Sequence, residues 1–295
     1  MTRIYFFPGQ GSQTVGMGEG IFDRFPEQVA IADAELGYSV PTLCLRDPSN
    51  QLNQTRFTQP ALFVVNALSF LNHLFETGKL PGIVAGHSLG EYNALFAAGV
   101  FDFQTGVKLV KQRANLMARA SGGGMAAVVG LLPDQIRQAL GAAALSSIDI
   151  ANLNSRTQTV ISGPAKDLET SQTILEQAGA QLFKRLPVSA AFHSRYMAEA
   201  EHDFGVFLES FVFAEPRIPV ISNVTARLHD SSKIKQMLAR QITQPVRWTE
   251  SMQWLLRQPG PEFLELGPGN VLTGLMRRIK METQPLPAHG DRVST

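Results

Sequence analysis

Several common classes of protein are excluded by what the sequence has little of. Cys44 is the only cysteine among 295 residues, so no disulfide can form within the chain. No apolar run approaches the roughly 18 residues that a membrane span needs, and the N-terminus has neither the basic nor the hydrophobic segment of a signal peptide. These absences predict a cytoplasmic protein with no membrane association.

Charged side chains are scarce and evenly balanced. They make up 17% of the residues, the formal net charge is +1, and no run of five or more like charges occurs. Nucleic acids are bound through concentrated positive charge, so we expect no nucleic-acid partner. Hydrophobic residues account for 44% of the chain, which is enough for a large core. The expected partners are therefore small molecules or other proteins.

Segments with strand and helix periodicity alternate along the chain, which is typical of the α/β class. We predict strands at residues 4–7, 83–85, 220–222 and 263–266. We predict helices at residues 59–75, 89–98, 103–120, 195–211, 232–241, 249–257 and 271–279. These pieces are distant in sequence, and we expect them to form one large α/β body with a parallel sheet at its core.

The middle of the chain follows a different order, after a glycine-rich linker at residues 121–124. The predicted elements are a strand at 125–129, a helix at 133–140, strands at 148–152 and 159–162, a helix at 165–178 and a strand at 181–186. This βαββαβ order is the ferredoxin-like arrangement.

The expected domain organisation is therefore a small domain inserted into a large one. Residues 1–124 and 188–283 would form an α/β-hydrolase-like domain, and residues 125–187 a ferredoxin-like domain. A cleft between two such bodies is a common place for a substrate. The last residues, 284–295, are rich in proline and small polar residues and are predicted to form a linker-like tail.

The first predicted strand ends in a glycine turn, IYFFPGQGSQ at residues 4–13, like the start of many nucleotide-binding domains. Its spacing does not fit a phosphate loop. Thr14 stands where a dinucleotide fingerprint has its third glycine, and Met17 where a Walker loop has its lysine. The bare backbone of this turn must serve something other than a phosphate.

A second glycine turn, GHSLG at residues 86–90, joins a strand-like stretch to a helix-compatible one. In this context G-x-S-x-G predicts a strained turn that exposes a serine hydroxyl at the carboxyl end of the sheet. Ser88 would then be a nucleophile, and the N–H of Leu89 would point at an oxyanion formed there. The alternative is that Ser88 only caps the helix, as serines often do.

A serine nucleophile needs a base within hydrogen-bond reach. His193 follows the segment in which the chain returns from the inserted domain to the large body, so it can overhang the cleft opposite the elbow. We expect His87 to support the turn, because neighbouring side chains diverge. The other histidines fall in predicted helices, polar loops or the tail, where they are ordinarily surface or core residues: His73, His202, His229 and His289.

Five segments then follow one another along the chain: FPGQGSQ, GHSLGEY, AAFHS, QITQPVRW and ELGPGNVLTGL. Together they resemble the malonyl-CoA:acyl carrier protein transacylases and the acyltransferase domains of polyketide synthases, over essentially the whole chain. The run GEYNALFAAGVFDFQTGVKLVKQRANLMARASGGGMAAVVGL, residues 90–131, is similar to the discrete, trans-acting acyltransferases of modular polyketide pathways.

The resemblance implies roles for particular residues in the chemistry. Ser88 would accept the acyl group and His193 would be its base. The third member of the triad would be a backbone carbonyl at Gln241 rather than a carboxylate, and no Asp or Glu stands out as a partner for the histidine. The backbone N–H groups of Gln10, in the first glycine turn, and of Leu89 would form the oxyanion hole.

The resemblance also implies that Arg113, 25 positions after Ser88, holds the malonyl carboxylate. A guanidinium binds a carboxylate through two parallel hydrogen bonds and would reject an acyl group that lacks one. From the residues alone, Arg113 is instead one of several solvated charges on its predicted helix, with Lys108, Lys111 and Arg119.

Selectivity for the acyl group is implied at Phe192, whose ring would leave no room for the α-methyl of a methylmalonyl group. Ala190 departs from the malonyl enzymes of multidomain synthases, which commonly have histidine there. One methyl group is worth about 1 to 3 kcal/mol of discrimination, so moderate selectivity is expected. Gln59, Asn152 and Asn154 match family positions near the pocket.

The implied function is transfer of a malonyl group from malonyl-CoA to the phosphopantetheine thiol of an acyl carrier protein, by a ping-pong reaction and in trans to a polyketide synthase. We expect a monomer without a metal or other cofactor. Three alternatives stay open: an acyl hydrolase that clears carrier proteins, a malonyl transacylase of fatty acid synthesis, and a non-catalytic module that docks carrier proteins. The hydrolase would lack the carboxylate-binding arginine, and the docking module would not need an intact serine and histidine.

Overall fold

The computed structural model of the protein describes residues 1–283, which leaves the predicted tail at 284–295 outside the described residues. Its strands are β1 Thr2–Phe7, β2 Ile83–Gly86, β3 Gly123–Val129, β4 Asp149–Ser155, β5 Gln158–Pro164, β6 Leu182–Arg185 and β7 Pro261–Glu265. Its α-helices are α1 Pro26–Leu36, α2 Val40–Leu45, α3 Thr55–Thr77, α4 Gly90–Ala97, α5 Phe103–Met117, α6 Pro133–Ala142, α7 Ala165–Gln177, α8 Ala198–Leu208, α9 Ile234–Arg240, α10 Trp248–Leu256 and α11 Val271–Thr283. None of these helices combines the length and the apolar character that a membrane crossing requires.

Three parallel strands form the first sheet, in the order β2–β1–β7. Tyr5 and Phe7 of β1 belong to one hydrophobic cluster, whereas Ile4 and Phe6 belong to a second cluster that includes residues of α10 and α11. Helices therefore cover both faces of the sheet, which explains why this strand has an unbroken apolar run instead of polar alternation. The prediction of a mixed α/β fold with a parallel sheet is confirmed.

The strand predicted at 220–222 is wrong. Val220 forms only an isolated bridge with Val84 of β2, and the N–H of Ile221 donates to the carbonyl of Val84. The chain then turns back through Ala226, which has a left-handed φ of 53°. The segment turns too soon to extend its pairing, and it forms a short turn against the edge of β2.

Four antiparallel strands form the second sheet, in the order β4–β5–β3–β6. Side chains alternate between the two faces of β3, as the geometry of a strand requires. Ala126 and Val128 pack with residues of α6 and α7 in a separate hydrophobic core. Met125 instead belongs to the core of the larger part of the protein. One face of this sheet therefore holds its own helices, and the other faces the parallel-sheet part.

Several predicted bounds change in the structure, and two of these changes affect how the elements connect. β3 begins at Gly123, inside the predicted linker at 121–124, because Gly123 and Gly124 are paired with Pro164 and Gly163 of β5. The helix predicted at 195–211 is interrupted, since a short 3-10 turn precedes α8 and the helix ends at Leu208. The division into domains at residues 125 and 187 stays a prediction.

Two helices, α1 and α2, had no counterpart in the sequence prediction. Both have proline in the first turn, where its missing N–H costs nothing. Ser39 caps α2 by accepting a hydrogen bond from the N–H of Thr42 at 3.3 Å. A proline in a segment of uncertain periodicity is equally typical of a turn, so these two starts carry little signal without the structure.

Three glycines let the end of β1, the turn after β2 and the start of α4 meet through backbone atoms. A Cβ on Gly86 would lie 1.9 Å from the carbonyl of Gly90, and one on Gly90 would lie 2.0 Å from the carbonyl oxygen of Phe7. A Cβ on Gly9 would lie 2.4 Å from the carbonyl oxygen of His87. No larger residue fits at these positions, so the glycines fix where the turn stands relative to the sheet.

The change Gly86→Ala should lower the free energy of unfolding by about 3 kcal/mol, because rigid backbone rather than a flexible side chain would have to move. Gly141→Ala is the matched control, since its Cβ would meet open space on α6. This control should raise the free energy of unfolding by about 0.5 to 1 kcal/mol, through helix propensity. Urea denaturation measures both changes, and similar small effects at the two positions would contradict the packing argument.

Candidate active site

Ser88 occupies the turn between β2 and α4 in a strained conformation, with a φ of 51°. Two amide side chains hold its backbone. The N–H of Ser88 donates to Oδ1 of Asn223 at 2.7 Å, and its carbonyl accepts from Nε2 of Gln241 at 3.0 Å. Asn223 also donates to the carbonyl of Gly86 at 2.7 Å. The turn is therefore braced on both sides, as a left-handed non-glycine residue requires.

The imidazole of His193 lies against the serine, with 2.8 Å between Nε2 and Oγ of Ser88. On its other side, Nδ1 lies 2.8 Å from the backbone carbonyl of Gln241. A carbonyl can only accept, so Nδ1 carries the hydrogen and Nε2 is free to accept the serine proton. This is the geometry of a nucleophile and its base, with a neutral carbonyl orienting the base.

His193 is kept neutral by its surroundings. Burial, followed by the positive charge of Arg113, lowers the pKa of His193 to about 3. The hydrogen bond that Nδ1 of His193 donates to the carbonyl of Gln241 opposes this lowering of the pKa only in part. A neutral imidazole can take up a proton, so the histidine is in the form that a general base requires.

Arg113 of α5 points into the protein and is 1% exposed. Its Nη1 donates to Oε1 of Gln59 at 2.5 Å, and its Nη2 donates to Oγ of Ser88 at 3.1 Å and to Oε1 of Gln241 at 3.0 Å. The guanidinium also lies 5.5 Å from the ring centre of Tyr92. Burial lowers the pKa of this arginine, and among residues 1–283 its Nε has no partner.

The hydrogen bonds of Arg113 go to neutral oxygens, and no carboxylate of the described residues forms an ion pair with it. A buried cation with only neutral partners is costly, and an anion beside it would remove that cost. The view of Arg113 as one of several solvated charges is wrong, because Arg113 is 1% exposed. The side chain of Arg119, by contrast, is 65% exposed. An arginine in this position can bind an anion next to the serine.

A chain of hydrogen bonds connects this arginine to the first glycine turn. Gln59 of α3 donates from Nε2 to Oγ1 of Thr55 at 2.8 Å, and Thr55 donates to Oε1 of Gln10 at 2.9 Å. These contacts fix which way the amide of Gln59 points, with its oxygen towards Arg113. No sequence pattern singles out Thr55, because its role depends on its contacts with Gln10 and Gln59.

Two backbone N–H groups remain available beside the serine. Within the described residues, neither Gln10 nor Leu89 donates its N–H to another protein group, and both residues line the cavity that contains Ser88. Leu89 directly precedes α4, so its N–H belongs to the positive end of the helix dipole. This arrangement can stabilise negative charge on an oxygen bound next to Ser88.

Asn152 and Asn154 of β4 both reach towards His87. Oδ1 of Asn154 lies 2.8 Å from Nε2 of His87, and Nδ2 of Asn152 lies 3.4 Å from the same nitrogen. The histidine ring packs 5.3 Å from the ring of Trp248. His87 supports the turn, as expected, and the two asparagines connect the second sheet to it.

The cavity itself has a volume of about 250 Å³ and lies between the parallel-sheet part and the open face of the second sheet. Ser88, Arg113 and His193 form its polar end, whereas side chains such as Met125 and Leu275 form apolar walls. Phe192, which is 6% exposed, lines this cavity and an adjoining open one of about 900 Å³. An elongated substrate can therefore reach the serine from the surface.

Three features of the site went beyond the sequence prediction. The side chain of Gln241 contacts both Arg113 and Ser88, although only its carbonyl was expected to matter. Asn223 holds the turn from 135 residues away, and Glu91 accepts from Gln241 at 2.5 Å. Glu91 belongs to the GHSLGEY segment, but no local sequence pattern indicates that it contacts Gln241, His229 and Asn223.

No group of three or more potential metal ligands from His, Cys, Asp and Glu occurs within residues 1–283. The polar groups around Ser88 are amides, hydroxyls, two imidazoles and one guanidinium, and no carboxylate or thiol joins them to complete the donor set of a metal centre within the described residues. That the protein works without a metal or cofactor stays a prediction.

The chain is similar to known acyltransferases in sequence and in structure. The family described as the acyl transferase domain matches residues 4–286. The polyketide biosynthesis malonyl CoA-acyl carrier protein transacylase BaeC of Bacillus velezensis is 52% identical over 285 residues, covering 96% of this chain and 99% of that protein. The crystal structure of a malonyl CoA-acyl carrier protein transacylase from Burkholderia pseudomallei superposes with a TM-score of 0.94 at 47% identity, covering 97% of this chain and 100% of that one.

A second solved structure is similar and includes a partner. It is described as PlMCAT:AntF (holo), a type II PKS acyl-carrier protein in complex with its malonyl-transacylase, and it matches with a TM-score of 0.90 and 36% identity, over 95% of this chain and 93% of that one. The family match extends over nearly the whole chain, and the relatives are about half identical to it. Together these two findings establish the family. The chain belongs to the acyl transferase family.

Proposed function

We propose that this protein transfers a malonyl group from malonyl-CoA to the phosphopantetheine thiol of an acyl carrier protein by a ping-pong reaction. The observation that carries the proposal is the guanidinium of Arg113, which is buried without an ionic partner in the described part of the chain and lies 3.1 Å from Oγ of Ser88. A carboxylate on the acyl group would supply the missing anion. The relatives named as malonyl transacylases support the same substrate.

In the first half-reaction, Oγ of Ser88 attacks the thioester carbonyl carbon while its proton passes to Nε2 of His193. The oxyanion that forms accepts hydrogen bonds from the N–H groups of Gln10 and Leu89. Collapse of this intermediate breaks the C–S bond, and the coenzyme A sulfur takes the proton from Nε2. A malonyl ester of Ser88 remains, with its carboxylate on Arg113.

In the second half-reaction, the phosphopantetheine thiol gives its proton to Nε2 of His193 and attacks the ester carbonyl. The C–O bond breaks, and Oγ of Ser88 recovers a proton from Nε2. The imidazolium is oriented by the carbonyl of Gln241 but gains less stabilisation than a carboxylate would give. His193 therefore returns its proton readily, which suits a residue that is base and acid in turn.

Phe192 would restrict the acyl group at its α-carbon. Its ring is buried and lines the cavity beside His193, so an α-methyl group would have to displace it. One methyl group is worth about 1 to 3 kcal/mol, which gives a preference for malonyl over methylmalonyl groups. Ala190, also buried, leaves the neighbouring space less filled than a histidine would.

We also propose a division into two domains with different folds. The order β4–β5–β3–β6, with α6 and α7 on one face, supports a ferredoxin-like small domain, and the turn at Ser88 after a parallel strand supports an α/β-hydrolase-like large one. We also propose that the protein acts as a monomer, without a cofactor, in the cytoplasm.

The polyketide relative at 52% identity favours a trans-acting role in polyketide biosynthesis over one in fatty acid synthesis. An acyl hydrolase is the other enzymatic candidate, because water can replace the carrier thiol in the second half-reaction. The buried Arg113 argues against it, since a hydrolase that clears varied acyl groups has no use for an anion site. An intact Ser88–His193 contact argues against a non-catalytic docking module.

Incubation with radiolabelled malonyl-CoA should label the protein without any carrier protein, at one group per chain. Ser88→Ala should abolish the label, because Oγ of Ser88 is the hydroxyl that lies 2.8 Å from Nε2 of His193. Ser189→Ala is the matched control, as this serine is exposed near the entrance and should leave labelling unchanged. Intact-protein mass spectrometry reads the result, and label that persists in Ser88→Ala would exclude this nucleophile.

Arg113→Ala should lower kcat/KM for malonyl-CoA by about 30-fold or more, since losing one partner of a buried charge pair costs about 2 to 5 kcal/mol. Activity with acetyl-CoA should fall much less, so the malonyl-to-acetyl ratio should collapse. Arg119→Ala, on the same side of the protein but exposed, should leave this ratio unchanged. An unchanged ratio in Arg113→Ala would mean that the carboxylate binds elsewhere.

The acylation rate should also resist mild acid. With the pKa of His193 lowered to about 3, the base stays deprotonated, and kcat/KM for malonyl-CoA at pH 5.5 should lie within about twofold of its value at pH 7.5. An ordinary histidine, with a pKa of about 6.5, would lose about tenfold over this range. Stopped-flow release of coenzyme A measures the profile, and an acid limb centred near pH 6.5 would contradict the buried, cation-adjacent base.

A further inference from the structure

Glu91 is a buried carboxylate that the reaction as described does not use. It lies in the first turn of α4, three residues after Ser88, and its side chain is 0% exposed. Oε1 accepts from Nε2 of His229 at 2.6 Å. Oε2 accepts from Nε2 of Gln241 at 2.5 Å and from the backbone N–H of Asn223 at 3.1 Å. Three donors therefore converge on one acceptor group.

The contact with Gln241 fixes the orientation of that amide. Its Oε1 accepts from Arg113 at 3.0 Å, and its Nε2 donates to Glu91. A reversed amide would point a donor at the guanidinium and an oxygen at the carboxylate, so Glu91 excludes it. The backbone carbonyl of the same residue orients His193 at Nδ1. One anchored residue thus determines both the anion site and the tautomer of the base.

The contact with Asn223 acts on the nucleophile. Glu91 holds the backbone of Asn223, whose side chain accepts from the N–H of Ser88 and donates to the carbonyl of Gly86. The strained φ of Ser88 depends on such bracing. Glu91 is therefore connected, through one residue in each case, to the serine, the histidine and the arginine.

His229 donates the third hydrogen bond to Glu91. Its side chain is 0% exposed, and among the described residues its Nδ1 has no hydrogen-bond partner. The bond from Nε2 to Glu91 is then the polar contact that accounts for a buried imidazole at this position. It holds the carboxylate from the side opposite Gln241, so that the carboxylate cannot turn away.

The negative charge of Glu91 also lies one amide away from Arg113, without touching it. Direct contact would give the arginine a permanent ionic partner, and a substrate carboxylate would have to displace it. Placed behind Gln241, the charge stabilises the guanidinium and leaves its donors to neutral oxygens that an anion can replace.

We propose that Glu91 and His229 form a positioning pair that sets the acylation rate and the malonyl selectivity of the site, by anchoring Gln241 and Asn223. The selectivity part rests on the proposed malonyl transfer. Neither residue touches the reacting atoms.

Glu91→Gln tests the pair, because a glutamine keeps the size of Glu91 but removes its negative charge and places an NH₂ where one of the two carboxylate oxygens accepts. The acylation rate constant, normalised to the fraction of chains that can be labelled, should fall about 10- to 100-fold. The malonyl-to-acetyl ratio should fall with it. Asp33→Asn is the matched control, since Asp33 accepts from the N–H of Val40 away from the site. It should lower stability without changing the normalised rate or the ratio.

A second pair of variants separates positioning from packing. The Nε2 of a glutamine can occupy nearly the same place as Nε2 of histidine and still donate to Glu91, whereas leucine fills the space without a donor. His229→Gln should keep the normalised rate within about threefold of the unaltered protein, and His229→Leu should match Glu91→Gln. Loss of labelled fraction alone, with the normalised rate and ratio intact in Glu91→Gln and His229→Leu, would overturn the proposal.

Phosphonylation of Ser88 by a fluorophosphonate probe keeps this test independent of the substrate. If the unaltered protein takes up no malonyl group but Glu91→Gln still slows phosphonylation, the proposed function fails and the positioning role stands. If the unaltered protein is malonylated and Glu91→Gln reacts normally with both reagents, the positioning role fails and the proposed function stands.

Discussion

The guanidinium of Arg113, buried without a carboxylate partner among residues 1–283, is the constraint on which the rest of the site depends. The neutral dipoles around Arg113 offset only part of the cost of removing a cation from water, and they do so only while they point the right way. The two glutamine side chains that accept from Arg113 are therefore each held by a second residue as well. Gln59 is held by Thr55 as well as by the arginine, and Gln241 is held by Glu91. The buried positive charge of Arg113 thus requires that these two amides keep a fixed orientation.

The same charge explains why a carbonyl, and not a carboxylate, stands behind His193. A carboxylate at that position would lie near Arg113 and compete with any anionic substrate for it. The carbonyl of Gln241 orients the imidazole without adding charge. The cation in turn helps to keep the imidazole neutral, so that the anion site and the base support each other.

The sequence could predict what local patterns encode. The turn at Ser88 follows from a glycine motif, and the two sheets follow from strand and helix periods, although the strand at 220–222 fails because the chain turns back after a single bridge. Burial of Arg113 could not be read from its helix, where neighbouring charges look alike. The contacts that the side chains of Gln241 and Asn223 make with Ser88 span more than 130 residues, and no spacing rule reaches that far.

The cavity also depends on how the second sheet is held, because that sheet supplies one of its walls. Glu282, in the last turn of α11, accepts from the hydroxyls of Ser155 and Thr157 at the turn between β4 and β5. Leu275 of the same helix lines the cavity. Helix α11 therefore forms part of the cavity wall through Leu275 and also holds the β4–β5 hairpin through Glu282. In the proposed reaction, an acyl ester must survive until a thiol arrives, and an apolar wall helps to keep away the water that would turn a transferase into a hydrolase.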